Sequence, residues 1–507
     1  MQFLLHHTVI TQAITNNDSK ILEQCRDKNS AGWVLSNSLA TILSDLSKTL
    51  KIDAAHSALK DALQGIAVAS LTGFEILETP PSSTMDFLDS LAVRTVEKFK
   101  LDGIITLTPK VFADSGIRVL QPNELSQVLK DDLAKVNKVP LLNIPATFPQ
   151  IWNEAEQEIS DVVRSGYFIL GPKVAELEKQ VAAYCQVPYA VGVSSGTDAL
   201  LLALMAADIG PGDEVITSTY TFFATAGSIV RTGAKPVFVD IDPVTFNMNI
   251  EQTKAAITPN TKAIMPVHLY GQCVDMKPLQ DLAKQHKLYV IEDACQAIGS
   301  EYKSQRAGGL GDFGCFSFFP TKNLGGFGDA GIVTTRSLEL YEKMKVLRVH
   351  GMEPKYYHKL VGGNFRIDAL QSAVLLAKLP HLEGWVDDRR ANAQRYHDLF
   401  QKAGLTDQLT LPKEIFPRHV YNQYIVRVAN GKRDALREYL NSQNVACEIY
   451  YPVSLHQQEC FKNLGHKQGD FPEAEKASAE TLALPVANEV TAEQQEYAVE
   501  KAKAFFS

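Results

Sequence analysis

Between residues 190 and 335 the chain carries seven short apolar, partly β-branched runs: Ala190–Val193, Val215–Ser218, Pro236–Val239, Ala263–Val267, Leu288–Ile291, Cys315–Phe319 and Gly331–Thr335. Segments of helical length and composition lie between most of them, such as Asp198–Ala207, Ala224–Thr232 and Lys277–His286. Runs this short and apolar read as strands covered on both faces. Their alternation with helices predicts an α/β fold on a mainly parallel sheet. Such sheets bind ligands just beyond the carboxyl ends of their strands. The residues following each run are therefore the place to look for chemistry.

A boundary is readable near residue 140. A helix is expected over 123–136, capped by Asn123 after Pro122, and the prolines of Lys138-Val-Pro-Leu-Leu-Asn-Ile-Pro145 stop regular structure. The expected organisation is a first domain over 1–137, a linker over 138–147, a large domain over 148–380 and a small α+β lobe over 381–507. Helix Asp368–Leu379 should end at Pro380, with shorter, mixed elements beyond it.

Composition excludes several classes. With 507 residues, 45% hydrophobic and 21% charged, the chain is neither disordered nor short of core. A net charge of −8 argues against nucleic-acid binding by bulk charge. The longest aliphatic run, Ala199–Ala207, lies between Asp198 and Asp208 and is too short to span a bilayer. The first positive side chain is Lys20, so no signal-peptide charge pattern is present. Seven cysteines without a Cys-x-x-Cys pair fit reduced thiols better than a disulfide framework or zinc site, and a cytoplasmic location is expected.

Two stretches fit the Gly-x-Gly-x-x-Gly pattern, Gly309–Gly314 and Gly326–Gly331. Each leads into a strand instead of joining a strand to its helix, so the context for dinucleotide binding is missing. Val193-Ser-Ser-Gly-Thr-Asp-Ala199 is a better anion site. It follows a strand and opens a helix, which points the N–H groups of Gly196, Thr197 and Asp198 outward. On its own it could equally be an ordinary N-cap. Tyr289-Val-Ile-Glu-Asp293 then ends a strand in two carboxylates, and Lys322 follows in the loop after Cys315-Phe-Ser-Phe-Phe-Pro-Thr. A phosphate cradle, a strand-end Asp and a loop Lys are the parts that hold pyridoxal 5′-phosphate. The lysine forms the imine, the aspartate keeps the pyridine nitrogen protonated, and the helix terminus takes the phosphate.

Residues from about 144 to 507 resemble the fold-type I, pyridoxal-phosphate-dependent sugar aminotransferases of the DegT/StrS group. The resemblance rests on Ser165–Gly171, Ser195–Leu200, Tyr220–Thr225, Glu292–Ala297, Phe316–Asn323 and Gly362–Arg366, in that order. It implies that Lys322 is the Schiff-base lysine and proton carrier, that Asp293 pairs with the pyridinium nitrogen, and that Gln296 contacts the ring hydroxyl. It also implies that Phe222 stacks on the ring, where the plain alternative is core, and that Gly196, Thr197 and Ser317 bind phosphate. Asn364 would reach the phosphate of a neighbouring subunit in a homodimer with shared sites. Cys295 departs from the alanine common in the group. Arg366, Tyr357 and His358 are candidate substrate contacts or a solvated loop.

The implied reaction moves an amino group from L-glutamate, leaving 2-oxoglutarate, to a keto group of a nucleotide-linked hexose. The loop Pro320–Asp329 looks more like the 3-keto members than the 4-keto ones. Related pyridoxamine-dependent dehydratases carry histidine at the position of Lys322, which disfavours that activity. A non-enzymatic sensor or scaffold would have no need of an imine-forming lysine.

The order of runs in residues 1–137 is similar to PIN-type nuclease domains: a strand from Gln2 entering a helix, Asp86–Val93 leading to a buried strand at Leu101–Thr108, then Val111–Asp114 and Ile117–Leu120. The acids that hold metal in such domains are mostly missing. His6 and Thr108 stand at two of the positions, no carboxylate lies in Leu35–Leu43, and Asp89 alone survives. A docking or oligomer-shaping module without nuclease activity is expected, with an unrelated α/β cap as the alternative.

Overall fold

The computed structural model describes residues 2–16, 18, 20–26, 31–71, 76, 79, 85–125, 127–128 and 138–507. By contacts the chain forms two units: Met1–Asn137 with Asn143–Gln157, and Lys138–Leu142 with Glu158–Ser507. The expected linker is thus divided between them. Of the helix expected over 123–136, residues 122–125 and 127–128 are helical and the remainder lies outside the described residues.

The first unit is a parallel five-stranded sheet. Its elements run β1 (Gln2–Leu5), α1 (His7–Thr15), β2 (Ala31–Leu35), α2 (Ser36–Leu46), α3 (Ile52–Ala62), β3 (Ala67–Ala69), α4 (Phe87–Phe99), β4 (Gly103–Ile105) and β5 (Val119–Leu120). The strand order is β3-β2-β1-β4-β5, with every pairing parallel. Side chains alternate between two cores: Phe3, Leu5, Val34 and Ile105 pack on one face, and Leu4, Trp33, Leu35 and Ile104 on the other. That is the period-two pattern of strands buried on both sides. The edge of β3 is closed by Asn153 on α5 (Phe148–Ser165), whose amide accepts from Val68 N at 2.8 Å and donates to Ile66 O at 3.1 Å. One side chain thereby replaces a missing strand partner. At the end of β1, His6 Nε2 lies 2.8 Å from Asp89 Oδ1, both residues being buried.

The second unit holds β6 (Tyr189–Val193), α6 (Gly196–Ala206), β7 (Glu214–Ser218), α7 (Phe223–Arg231), β8 (Lys235–Val239), β9 (Thr261–Met265), α8 (Met276–His286), β10 (Tyr289–Asp293), β11 (Phe313–Ser317) and β12 (Gly331–Thr335). They form a seven-stranded sheet in the order β6-β12-β11-β10-β9-β7-β8, in which only β12 runs against its neighbours. The expected α/β class is therefore met. The run expected over Cys315–Phe319 starts two residues earlier, because Gly314 packs flush on Gly308; a Cβ there would sit 2.2 Å from Gly308 Cα.

The C-terminal part corrects one expectation. Helix α9 (Ala369–Lys378) is followed by a single 3₁₀ turn at Leu379–His381 and then by α10 (Leu382–Ala403), 22 residues long, where only short elements were expected. Pro380 sits inside that turn, where no N–H is required, so the chain re-enters a helix at once. The lobe also holds a small antiparallel sheet, β13 (Leu409–Thr410), β14 (Tyr424–Val428) and β15 (Thr481–Leu484), and helices α11 (Arg433–Ser442), α12 (Pro472–Glu480) and α13 (Ala492–Phe506). Among the described residues no helix is long and apolar enough to cross a membrane. All seven cysteines are free.

Candidate active site

A cavity of ≈ 480 Å³ opens at the carboxyl ends of the large sheet, and Gly196, Thr197, Phe222, Asp293, Gln296, Ser317 and Lys322 all line it. Cys295 lines it too, whereas Asn364, Arg366, Tyr357 and His358 do not. Asn364 is exposed in a bridge with Val349, Arg366 bridges Val193, Tyr357 is exposed, and His358 Nδ1 lies 2.9 Å from the His350 carbonyl.

The start of α6 has the geometry of an anion cradle. Ser195 is its N-cap, and its hydroxyl accepts from Asp198 N at 3.1 Å, so that N–H serves the protein. The N–H groups of Gly196 and Thr197 are left for a ligand. A Cβ on Gly196 would lie 2.7 Å from Ser317 Cβ and 2.9 Å from Cys295 Sγ. Glycine lets the helix end close onto the end of β11 and sets the Ser317 hydroxyl beside the cradle.

The end of β10 supplies the carboxylate. Asp293 is tied into the sheet by its N–H to Pro266 O at 2.8 Å and by its own carbonyl, which accepts from His268 N at 3.0 Å. Its neighbour Glu292 points away from the cavity and is fully buried. Glu292 accepts from Gly308 N, Leu310 N and Gly311 N at 2.8, 2.8 and 2.6 Å, and its Oε2 lies 2.9 Å from His268 Nε2. The glycine run that imitates a dinucleotide motif does bind an anion, but the anion is an internal side chain.

Lys322 follows β11 on the cavity wall. Among the described residues its amine has no hydrogen-bond or ion-pair partner. Burial pushes its ammonium below the usual lysine range, against the opposing pull of Cys295 and Asp293. Phe222, just before α7, lines the cavity although 61% exposed, as an aromatic waiting for a ring would be. The Gln296 amide accepts from Tyr270 N at 2.7 Å and donates to the Tyr451 hydroxyl at 2.8 Å.

Sequence reading missed Thr221, Asp329, Gln423, Tyr450 and Tyr451, which also line the cavity. The last three come from the C-terminal lobe, and no spacing connects them to Lys322; only the paired aromatics before Pro452 mark the segment. Two free helix-terminal N–H groups, a serine, a strand-end carboxylate, an unpaired lysine amine and an aromatic wall make a donor set that fits pyridoxal phosphate.

Comparison with known proteins agrees. The chain is 43% identical over 356 residues to the UDP-N-acetyl-3-dehydro-alpha-D-glucosamine 3-aminotransferase of Acidithiobacillus ferrooxidans, covering 70% of this chain and 95% of that protein. It is 50% identical over 369 residues to a pleiotropic regulatory protein of Geobacillus stearothermophilus, covering 73% and 98%. The crystal structure of Streptomyces venezuelae DesV superposes with a TM-score of 0.70 at 37% identity, over 73% of this chain and 99% of that one. Bacillus subtilis NtdA with bound cofactor PMP gives 0.68 at 32% identity, over 73% and 85%. Fold and cavity together define a fold-type I aminotransferase that uses pyridoxal phosphate. Residues 149–503 match the model of the DegT/DnrJ/EryC1/StrS aminotransferase family, and the chain belongs to that family.

Proposed function

We propose that this enzyme transfers the amino group of L-glutamate to the C3 keto group of a nucleotide-linked hexose, in amino-sugar biosynthesis. The observation that carries the reading is the unpaired Lys322 amine in the same cavity as Asp293 and the helix-end cradle. The choice of C3 is supported by relatives whose names specify 3-amino or 3-oxo sugars, at 43%, 38% and 39% identity.

Bound pyridoxal phosphate supplies an aldehyde for amine condensation and a ring that accepts the electron pair left on the substrate carbon. Lys322 Nζ, whose charged form burial disfavours, takes the α-proton of the donor amino acid and returns one to the sugar carbon in the second half. Asp293 holds the proton on the ring nitrogen. Gly196 N, Thr197 N and the Ser317 hydroxyl bind the phosphate, and Phe222 covers the ring face. Asn364, exposed and outside this cavity, serves the phosphate site of a second subunit in a homodimer. The exposed Tyr357 and His358 and the half-buried Arg366 are assigned to substrate.

Residues 1–137 we read as a non-catalytic module. His6 and Asp89 engage each other at the strand end where a PIN-type nuclease would gather metal-binding acids. Lys322→Ala should abolish turnover and the visible absorbance of the bound cofactor together. A panel of 3-keto and 4-keto nucleotide sugars with glutamate as donor tests the rest, and preference for a 4-keto sugar would overturn the C3 assignment.

A further inference from the structure

Thr225 lies in the first turn of α7 and is fully buried. Three other buried threonines of this chain bond back to the carbonyl four residues earlier: Thr95 to Leu91 O, Thr253 to Asn249 O, Thr481 to Ala477 O. That is the ordinary local solution for a buried hydroxyl. Thr225 does otherwise. Its hydroxyl donates to Asp293 Oδ2 at 2.7 Å, across 68 residues of sequence.

A hydroxyl has one proton, and that of Thr225 goes to the carboxylate. In the 3.1 Å contact between Thr221 Oγ1 and Thr225 Oγ1, Thr221 must therefore be the donor. The direction of the chain is fixed: Thr221 to Thr225 to Asp293. Phe222 lies between the two threonines in sequence, and Thr225 N donates to Phe222 O at 3.2 Å. The segment that presents the aromatic ring and the strand that presents the carboxylate are thus joined by one hydroxyl pair. The other carboxylate oxygen, Oδ1, accepts from Cys295 N in a longer contact of 3.3 Å, and the Cys295 thiol also bonds to this carboxylate.

We propose that Thr225 is a positioning residue for transamination: by engaging Asp293 Oδ2 it fixes the carboxylate so that Oδ1 is the oxygen offered to the cofactor's ring nitrogen. The proposal rests on the assignment of Asp293 to that nitrogen. Hydrogen bonds to a charged group are among the stronger ones in proteins, so loss of this one should be visible in the cofactor's electronics.

The test compares holoenzyme of the wild type, Thr225→Val, which keeps shape but lacks the hydroxyl, Thr225→Ser, which keeps the hydroxyl, and Asp293→Asn. Two quantities are read: the pH titration of the bound cofactor's visible absorbance, and kcat against KM for the amino donor. Thr225→Val should shift the titration midpoint and lower kcat about tenfold with KM little changed. Thr225→Ser should stay within about twofold of wild type on both counts. If the valine variant does not fold, Thr221→Val should give a smaller change in the same direction. A wild-type spectrum and kcat in Thr225→Val, or a serine variant as impaired as the valine, would overturn the inference while Asp293→Asn still damages both readouts. Should Asp293→Asn leave both readouts unchanged, the assignment of Asp293 fails first, and the role of Thr225 with it.

Discussion

His268 Nε2 and Glu292 Oε2 lie 2.9 Å apart with neither side chain reaching solvent. The ring's other nitrogen accepts from Val274 N at 3.2 Å, so the proton sits on Nε2 and points at the carboxylate. Oε2 also takes the Gly308 N–H, while Oε1 takes those of Leu310 and Gly311. All four donors are satisfied by one side chain, immediately before Asp293.

Glu292→Gln should therefore be far more damaging than its size suggests. Whichever oxygen becomes NH₂ is turned against two N–H donors that it cannot satisfy. Breaking one side of a buried charged network costs about 3–5 kcal/mol. Denaturant unfolding of the two proteins measures it, and a loss below about 1 kcal/mol, the worth of an ordinary hydrogen bond, would contradict this account.

Gly196→Ala tests the phosphate cradle. The position is helical, so the backbone tolerates alanine, but the new methyl would press on Ser317 Cβ at 2.7 Å and Cys295 Sγ at 2.9 Å. The helix end and β11 must move apart, and the N–H groups and the Ser317 hydroxyl no longer converge. Apoenzyme titrated with pyridoxal phosphate should bind it at least about tenfold more weakly, a loss of about 1.4 kcal/mol, with little change in melting temperature.

The parts of the molecule that were legible in sequence are those with a local signature. Strands such as Val215–Ser218 are buried on both faces and read as continuous apolar runs. Gly196, Asp293 and Lys322 each follow such a run, so the topology itself collects them. What escaped depends on contacts distant in sequence. Tyr451 reaches Gln296 across 155 residues, and Thr225 reaches Asp293 across 68. Asn153 closes the edge of β3 from a helix that composition alone gives to the larger unit. Pro380 announced a stop, yet a single 3₁₀ turn accommodates it and the chain continues into α10.

The C-terminal lobe should be acid-sensitive through His419. This ring is buried and stacked on Tyr421, with centroids 3.9 Å apart, and its Nδ1 accepts from Tyr421 N at 3.0 Å. Burial pushes the imidazole down to about 3, with Arg390 acting in the same direction. The unfolded chain takes up a proton near pH 6.5 that the folded state refuses. Between those values the unfolded state binds more protons, so stability falls as pH is lowered, by up to about 1.4 kcal/mol per pH unit. His419→Gln removes this titration while losing the ring stack. Its stability should lie below wild type at pH 8 and converge on it from pH 6 to pH 4, as read from denaturant midpoints. Parallel curves would show that His419 does not carry the dependence.

The proposal that each active site is shared between two subunits has a test that no single variant provides. Lys322→Ala removes the reactive amine from a subunit's own cavity, whereas Asn364→Asp would set a negative charge against the phosphate bound by the partner. Each homodimer should be inactive or nearly so. When the two are unfolded and refolded together, half of the dimers are mixed. In a mixed dimer, one cavity combines the intact Lys322 of one subunit with the intact Asn364 of the other, while the second cavity has lost both. Roughly a quarter of wild-type activity should therefore return if dimers assort at random. If Asn364 acted within its own subunit, every cavity in the mixture would keep one defect. The mixture would then be no more active than its components, and the assignment of Asn364 to the neighbouring site would be wrong.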